Sequence, residues 1–213
     1  MDVVCKQWTE DFEIYGYHIE DILSLIKEAY RERAKEGISF ATLDYTIEDF
    51  LAERTDADFW FLAFDNEKKM YGTARLTIKD DNSSEICNFA VSPYCQGKHV
   101  GSHLLQAANL FAKEHKLDHV LSFTAMKATS SVKCHCNNGF RIIGININLS
   151  KDYSSYCFRN QISPSWYWSS SFMMRLRYLL SYLKYCLAKR PNGQNRFIGN
   201  IYLKYKRSKG LVV

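Results

Sequence analysis

The sequence has no acidic residue after Asp152, and this absence divides it into two parts of opposite charge. Residues 1–160 contain 18 Lys and Arg and 23 Asp and Glu, which gives a net charge of −5. Residues 161–213 contain 10 Lys and Arg and no carboxylate side chain, which gives +10. Such asymmetry predicts a body, residues 1–160, followed by a basic extension, residues 161–213, that has a partner of its own.

Two nucleotide-binding motifs are also absent. The glycines of the loop at 96–101 are not followed by Gly-Lys-Ser/Thr, which excludes a P-loop. No G-x-G-x-x-G stands ahead of a suitably placed acidic residue, which excludes a dinucleotide-binding turn. We expect no nucleic-acid partner.

Disulfide, metal and export signals are missing as well. The seven cysteines are odd in number and have no repeating spacing, which is typical of reduced thiols in a cytosolic protein. The C-H-C at 134–136 has crowded ligands and no second pair, so we expect no metal site. No basic leader with an apolar run and a cleavage site opens the sequence, so we expect a cytoplasmic protein without an export signal.

The most informative stretch of the sequence is a strand followed by a polar loop and a helix. E-I-C-N-F-A-V at 85–91 is typical of a strand, and apolar residues at helical spacing between 100 and 112 predict a helix. The loop Q-G-K-H-V-G at 96–101 therefore precedes a helix N-terminus, where unpaired N–H groups and the helix dipole favour phosphate oxygens. The sequence predicts an anion-binding loop there, with Lys98 as an additional cation.

Hydrophobic periodicity predicts the remaining elements of the body. Their order is strand, two helices, three strands, helix, strand, helix, two strands, which predicts a mixed α/β sheet in a single domain. Around the central strand and helix, we expect strands at 3–8, 57–64, 70–79, 119–125, 140–149 and 153–159, and helices at 19–34, from a capping box at Thr46, and between Ser130 and Gly139.

The central loop resembles the acetyl-coenzyme A loop of the GNAT N-acetyltransferase superfamily, Gln/Arg-x-x-Gly-x-Gly/Ala after a strand that ends in valine. Gln96, Val100 and Gly101 fit this pattern, and His99 takes the place of the first patterned glycine. A short predicted helix that ends in Gly-Phe, and the order of elements, are similar to the family's too. The resemblance covers about residues 3–160 and implies the GNAT fold.

The resemblance also implies the chemistry, which is acyl transfer from acetyl-coenzyme A to an amine without a metal. Backbone N–H groups of the strand before the loop would hold the pantetheine and thioester, and the loop would hold the pyrophosphate. The implied cofactor-binding positions are Phe89, Ala90 and Val91 in the strand, and Gln96, Gly97, Lys98, His99, Val100, Gly101 and Ser102 in the loop.

Two side chains are candidates for proton transfer. His135 lies four residues before the Gly-Phe glycine, where family members often carry a tyrosine general acid, and an imidazole can supply or relay a proton near neutral pH. Glu85, six residues before the valine of the loop motif, resembles the glutamate that deprotonates lysine in histone-type members. The alternatives are a structural core histidine and a solvated strand-edge glutamate. Tyr71 and Arg75 are further candidates for the acceptor cleft.

Two functions remain open at this point. One is an N-acetyltransferase that acts on a primary amine of a small molecule or amino sugar, or on a protein amine. The other is a non-catalytic acyl-coenzyme A-binding or scaffold module that acts through its basic extension at a membrane surface or a protein partner.

The extension is predicted to contain a basic amphipathic helix from 163–165 to about Leu187. Its charges make it unsuitable for spanning a bilayer. We expect its apolar stripe to be buried against protein, either the body or a second subunit in a homodimer, with peripheral membrane contact as the alternative. Ile201 to Lys206 alternates as a further strand would. The stripe consists of Phe172, Leu176, Leu179, Leu180, Leu183 and Leu187.

Overall fold

A computed structural model describes residues 1–8, 13–149, 153–165, 171–190 and 194–208. The predicted order of elements in the body is confirmed, with two further helices in the extension. The strands are β1 (Asp2–Gln7), β2 (Asp58–Phe64), β3 (Met70–Ile78), β4 (Ser83–Val91), β5 (His119–Ala125), β6 (Arg141–Asn146) and β7 (Ser155–Gln161). The helices are α1 (Ile19–Ala34), α2 (Ile47–Ala52), α3 (Val100–Glu114), α4 (Thr129–Asn137), α5 (Ser171–Ala188) and α6 (Phe197–Ser208).

The seven strands form one mixed sheet in the order β1-β2-β3-β4-β5-β7-β6. Every neighbouring pair is antiparallel except β4 and β5, which are parallel. Their pairing runs only from Ser83 opposite His119 to Ile86 opposite Ser122. The carboxyl-terminal half of β4 and the end of β5 therefore separate, and the sheet opens at its centre.

Helices cover both faces of the sheet, which explains why β2 is an almost continuous apolar run. Phe61 of β2 belongs to the core beneath α3, whereas Trp60 and Leu62 belong to the core beneath α1 and α2. Alternate residues of a strand point to opposite faces, so a strand buried on both needs apolar residues throughout. The two cores hold the sheet rigidly around its central opening.

Local signals position the first helices as predicted. α1 has the predicted bounds, and its apolar stripe packs on the sheet. Thr46 and Asp49 form the predicted capping box of α2, in which the Thr46 hydroxyl accepts a bond from the Asp49 N–H at 3.1 Å. These bonds satisfy N–H groups that the first turn of a helix leaves unpaired.

In the extension, the prediction of a strand at 201–206 is wrong, because these residues lie within α6. A six-residue alternation is too short to distinguish a strand from a helix that already begins at Phe197. α6 packs closely on α5, since a Cβ at Gly199 would lie 2.2 Å from the carbonyl oxygen of Ala188. In the described parts of the chain, no helix is both long and apolar enough to cross a membrane.

The predicted stripe of α5 is not buried against the body, and its burial against a second subunit stays a prediction. α5 packs on the edge strand β6 through its opposite side, where Met174 is buried and the Ser181 hydroxyl accepts a bond from the Ile145 N–H at 2.7 Å. The helix itself was predicted, but its described part begins at Ser171, and the predicted start overlaps residues outside those described. The stripe remains exposed at Phe172, Leu176, Leu179, Leu180, Leu183 and Leu187, with exposed fractions from 39% to 72%.

Candidate active site

The opening between β4 and β5 forms a cleft of about 460 Å³. Residues 87–91 of β4 line one side and residues 122–125 of β5 line the other. Because the two strands do not pair beyond Ile86 and Ser122, β4 has one edge without a neighbouring strand along this stretch. Such an edge can pair with an extended ligand that carries amide groups, as a further strand would.

A β-bulge reshapes β4 beside this cleft. The pairing with β3 moves from Cys87 opposite Arg75 to Ala90 opposite Thr73, and Asn88 has a left-handed φ of 48°. A bulge redirects the backbone and interrupts the ladder, which turns residues 88–89 toward the opening. The Asn88 Nδ2 group is buried in this wall without a hydrogen-bond partner. This donor is one of the few buried polar groups in the wall that the described residues leave unsatisfied.

The predicted loop lines the adjoining part of the same cleft. Gln96, Gly97 and residues 99–102 contribute to the wall, whereas Lys98 is exposed and lies outside it. The loop delivers the chain into the N-terminus of α3, where free N–H groups favour an anion. The structure thus brings the predicted strand and loop positions together, with Lys98 as the exception.

His99 and Gly101 show why the loop motif has glycine at these two positions. His99 caps α3 with φ 62° and ψ 9°, a left-handed conformation that favours glycine. A Cβ at Gly101 would lie 3.1 Å from both Cys134 Sγ and Phe89 Cζ, so this position tolerates no larger residue without displacement. The first patterned glycine therefore serves the turn, and the second serves the close packing of α3 on α4 and β4.

His135 lies behind the cleft wall. Its side chain is fully buried, with Nδ1 at 2.8 Å from the Ser131 carbonyl oxygen and Nε2 at 2.9 Å from Ser122 Oγ. A carbonyl only accepts, so Nδ1 carries the proton and Nε2 accepts the Ser122 hydroxyl. Burial lowers the pKa of His135, so the ring is neutral at neutral pH. Ser122, 2% exposed, lies in the cleft wall between the imidazole and the opening.

Glu85 also lies just outside the wall. Its carboxylate is 3.5 Å from Lys79 Nζ and accepts a bond from Cys87 Sγ at 3.7 Å. The expectation of a solvated strand-edge residue is wrong, because β4 is an internal strand and the Glu85 side chain is only 28% exposed. Cys87, two residues along the same face, does line the cleft, and burial together with Glu85 raises its pKa to about 11.

The far end of the cleft is built from α1 and the segment after it. The rings of Tyr30 and Phe40 stack at 4.2 Å, and Arg33 of α1 donates to the Ser130 hydroxyl of α4. The sequence predicts the helix at 19–34 that carries Tyr30, but it does not predict that Tyr30 lies beside the opening. Burial is the main reason why the pKa of Tyr30 is raised, so its hydroxyl stays protonated.

Tyr71 and Arg75 do not form this end of the cleft. The Tyr71 hydroxyl donates to Asp65 at 2.6 Å, and Arg75 forms ion pairs with Glu53 at 3.5 Å and Asp58 at 3.7 Å. Within the described residues, no group of three His, Cys, Asp or Glu side chains converges to hold a metal ion.

Solved structures share this fold at low sequence identity. A GNAT-family acetyltransferase from Staphylococcus aureus Mu50 aligns with a TM-score of 0.59 and 19% identity over 76% of this chain and 100% of its own. A GNAT-family acetyltransferase from Elizabethkingia anophelis, with acetyl-coenzyme A bound, gives 0.54 and 20% over 75% and 97%. The ribosomal-protein-S18-alanine N-acetyltransferase of Escherichia coli gives 0.58 and 12% over 77% and 96%. No protein of curated function matches the sequence.

A mixed sheet that opens beside a loop leading into a helix defines a class of acyltransferases that use a coenzyme A thioester. The family model described as Acetyltransferase (GNAT) family matches residues 19–140, from α1 to the Gly-Phe segment. The chain belongs to this family, whose cosubstrate is acetyl-coenzyme A.

Proposed function

We propose that the protein transfers the acetyl group of acetyl-coenzyme A to a primary amine of a small molecule or amino sugar. The single observation that carries this proposal is the cleft between β4 and β5, which joins an unpaired strand edge to the N-terminus of α3. An acetyl donor with an extended amide chain and a pyrophosphate matches both parts.

The donor supplies an activated thioester when it is bound. Residues 87–91 would hold its pantetheine along the strand edge, and the loop at 96–102 would hold its pyrophosphate at the helix N-terminus. Backbone N–H groups beside the bulge at Asn88 would donate to the oxygen on which negative charge develops. Binding and orientation of the reacting groups would contribute most of the rate enhancement in such a site.

Proton transfer needs two routes, because the ammonium form of the amine loses one proton to a base before attack, and the attacking nitrogen then loses a second, which ends on the departing sulfur. The Ser122 hydroxyl is the polar side-chain group of β5 that links the cleft wall to His135. We assign Ser122 as the hydroxyl that passes a proton and His135 as the residue that orients it through Nε2. This replaces direct proton donation by His135, because a neutral ring with Nε2 as an acceptor has no proton to give there.

Glu85 remains our candidate for the base that accepts the proton of the amine. It shares a face of β4 with Cys87, which lines the cleft, so a water molecule could connect the carboxylate with the amine. Lys79 Nζ lies 3.5 Å from this carboxylate and pairs with it.

The far end of the cleft supports a small acceptor. Tyr30 and Phe40 form an aromatic wall, and the bond from Arg33 to Ser130 connects α1 with α4 across this end. An aromatic wall beside polar rim groups suits a compact organic amine more than a folded protein surface. The Escherichia coli relative named for a protein alanine shows that this fold also serves protein amines, so the test includes a peptide.

The test is the release of coenzyme A over a panel of aliphatic amines, amino sugars and peptides with free N-termini, with mass spectrometry of the products. We expect one class of small amine to gain an acetyl group. Binding of acetyl-coenzyme A without turnover for any amine would instead favour the non-catalytic module, which the burial of His135 away from the cleft supports.

A further inference from the structure

The extension carries an apolar surface that points away from the body. The stripe residues of α5 recur at intervals of three and four, which places them on one side of the helix. Ser181, which binds Ile145 of β6, is two residues from both Leu179 and Leu183, so it lies about 160° around the helix from them. The side that holds α5 on the sheet is thus opposite to Leu179 and Leu183, whereas Leu176 and Leu180, at one margin of the stripe, line a cavity with residues 143–146 of β6.

The start of α6 exposes further apolar residues. Phe197 is 80% exposed, and Ile198 and Ile201 are also exposed. α6 packs on the end of α5 through Gly199, which lies against the carbonyl of Ala188, and Phe197 and Ile201 lie about 160° around α6 from that contact. Monomeric soluble proteins rarely leave a contiguous apolar surface of this kind uncovered.

Cations border the stripe on both sides. Arg175 lies about 40° beyond Leu179 on one side, and Lys184 lies about 40° beyond Leu180 on the other. Both cations are exposed. A leucine stripe with a cation on each side is typical of a helix that lies in the plane of a membrane, with its cations reaching the headgroups.

From this surface we infer that α5 and the start of α6 dock on an anionic lipid bilayer, with the stripe at the level of the acyl chains. The charges select this partner over a second copy of the chain. No carboxylate side chain follows Asp152, so two stripes in contact would bring Arg175 and Lys184 of each copy together without an acidic partner in either extension. An anionic bilayer accepts the leucines and neutralises the cations at the same time. This inference does not depend on acetyl transfer.

The experiment is sedimentation of the full chain with vesicles of phosphatidylcholine and phosphatidylserine, and with vesicles of phosphatidylcholine alone, at an ionic strength of about 0.15 M. We expect pelleting with the anionic vesicles and little with the neutral ones. The double variant Leu179→Gln/Leu183→Gln should bind at least about tenfold more weakly. Leu110→Gln, which changes a 57% exposed leucine of α3 outside the stripe, should bind as the wild type does.

A second double variant tests membrane binding independently if Leu179→Gln/Leu183→Gln folds poorly. Arg175→Gln/Lys184→Gln changes two exposed side chains and should reduce binding to anionic vesicles severalfold while preserving the helix content by circular dichroism. The inference is overturned if the wild type stays in the supernatant with anionic vesicles, or if the cation variant binds normally. It is also overturned if sedimentation velocity shows a lipid-free dimer that the leucine variant abolishes, because the stripe would then be an interface between copies.

Discussion

The imidazole of His135 and the hydroxyl of Ser122 form a buried hydrogen bond of 2.9 Å, and only Ser122 lies in the wall of the cleft. The histidine on α4 therefore contacts the cleft wall only through a residue of β5. Phe89, Phe140 and Phe158 pack around the ring, which fixes its orientation. In the proposed mechanism, Ser122 meets the substrates and His135 positions Ser122.

Removing either partner should slow turnover without weakening binding of the cosubstrate. We expect Ser122→Ala and His135→Phe each to lower kcat by about 100-fold, as for the loss of a proton-transfer group. The matched control is Ser84→Ala, which removes a buried hydroxyl from the paired half of β4. Steady-state kinetics and calorimetry with acetyl-coenzyme A measure both quantities. Wild-type turnover in both variants would mean that catalysis rests on positioning alone.

The buried neutral histidine should make the fold sensitive to acid. Burial lowers the pKa of His135 in the folded protein below its ordinary value of 6.5, so the unfolded chain binds the proton more readily. Stability should therefore fall as the pH falls below about 6.5. Urea unfolding at several pH values should show a smaller loss in His135→Gln than in the wild type. Equal losses would contradict the depressed pKa, since His119, also lowered by burial, is present in both proteins.

Replacing His99 with glycine should relieve backbone strain at the N-cap of α3. The left-handed conformation of this N-cap disfavours a side chain, so His99→Gly should stabilise the protein by about 1 kcal/mol. His99→Ala is the control, because alanine retains the Cβ and should give no gain. Thermal unfolding measures the difference. Equal effects of glycine and alanine would show that the backbone conformation is not the source.

The sequence predicts backbone features, such as the N-terminus of α3 and the left-handed turn before it, better than it predicts side-chain contacts. Helical spacing and the loop motif placed the N-terminus of α3 correctly, and the requirement for glycine follows from a local conformation. The pairing of Ser122 with His135 depends on how β5 and α4 pack, which no local pattern encodes. The outward stripe of α5 illustrates the same limit, because periodicity shows that a face is apolar and not whether anything covers it.

Glu85 is tested by the shape of the pH profile. If Glu85 accepts the proton of the amine, Glu85→Gln should abolish the acidic limb of the kcat/KM profile and lower its plateau. Lys79→Met removes the ion-pair partner at 3.5 Å but leaves the carboxylate in place, so this control variant should keep an acidic limb. An unchanged acidic limb in Glu85→Gln would assign the base elsewhere.

The most direct measurement is acetyl transfer itself, followed as coenzyme A release and as acetylated product in the same reaction. The comparison variant is Gly101→Leu, whose side chain would collide with Cys134 and Phe89 beside the cleft. We predict micromolar binding of acetyl-coenzyme A, about −8 kcal/mol, and amine-dependent turnover in the wild type, with both strongly reduced in the variant. Calorimetry that shows no binding at millimolar acetyl-coenzyme A, or binding with no product for any amine, would contradict the proposed function.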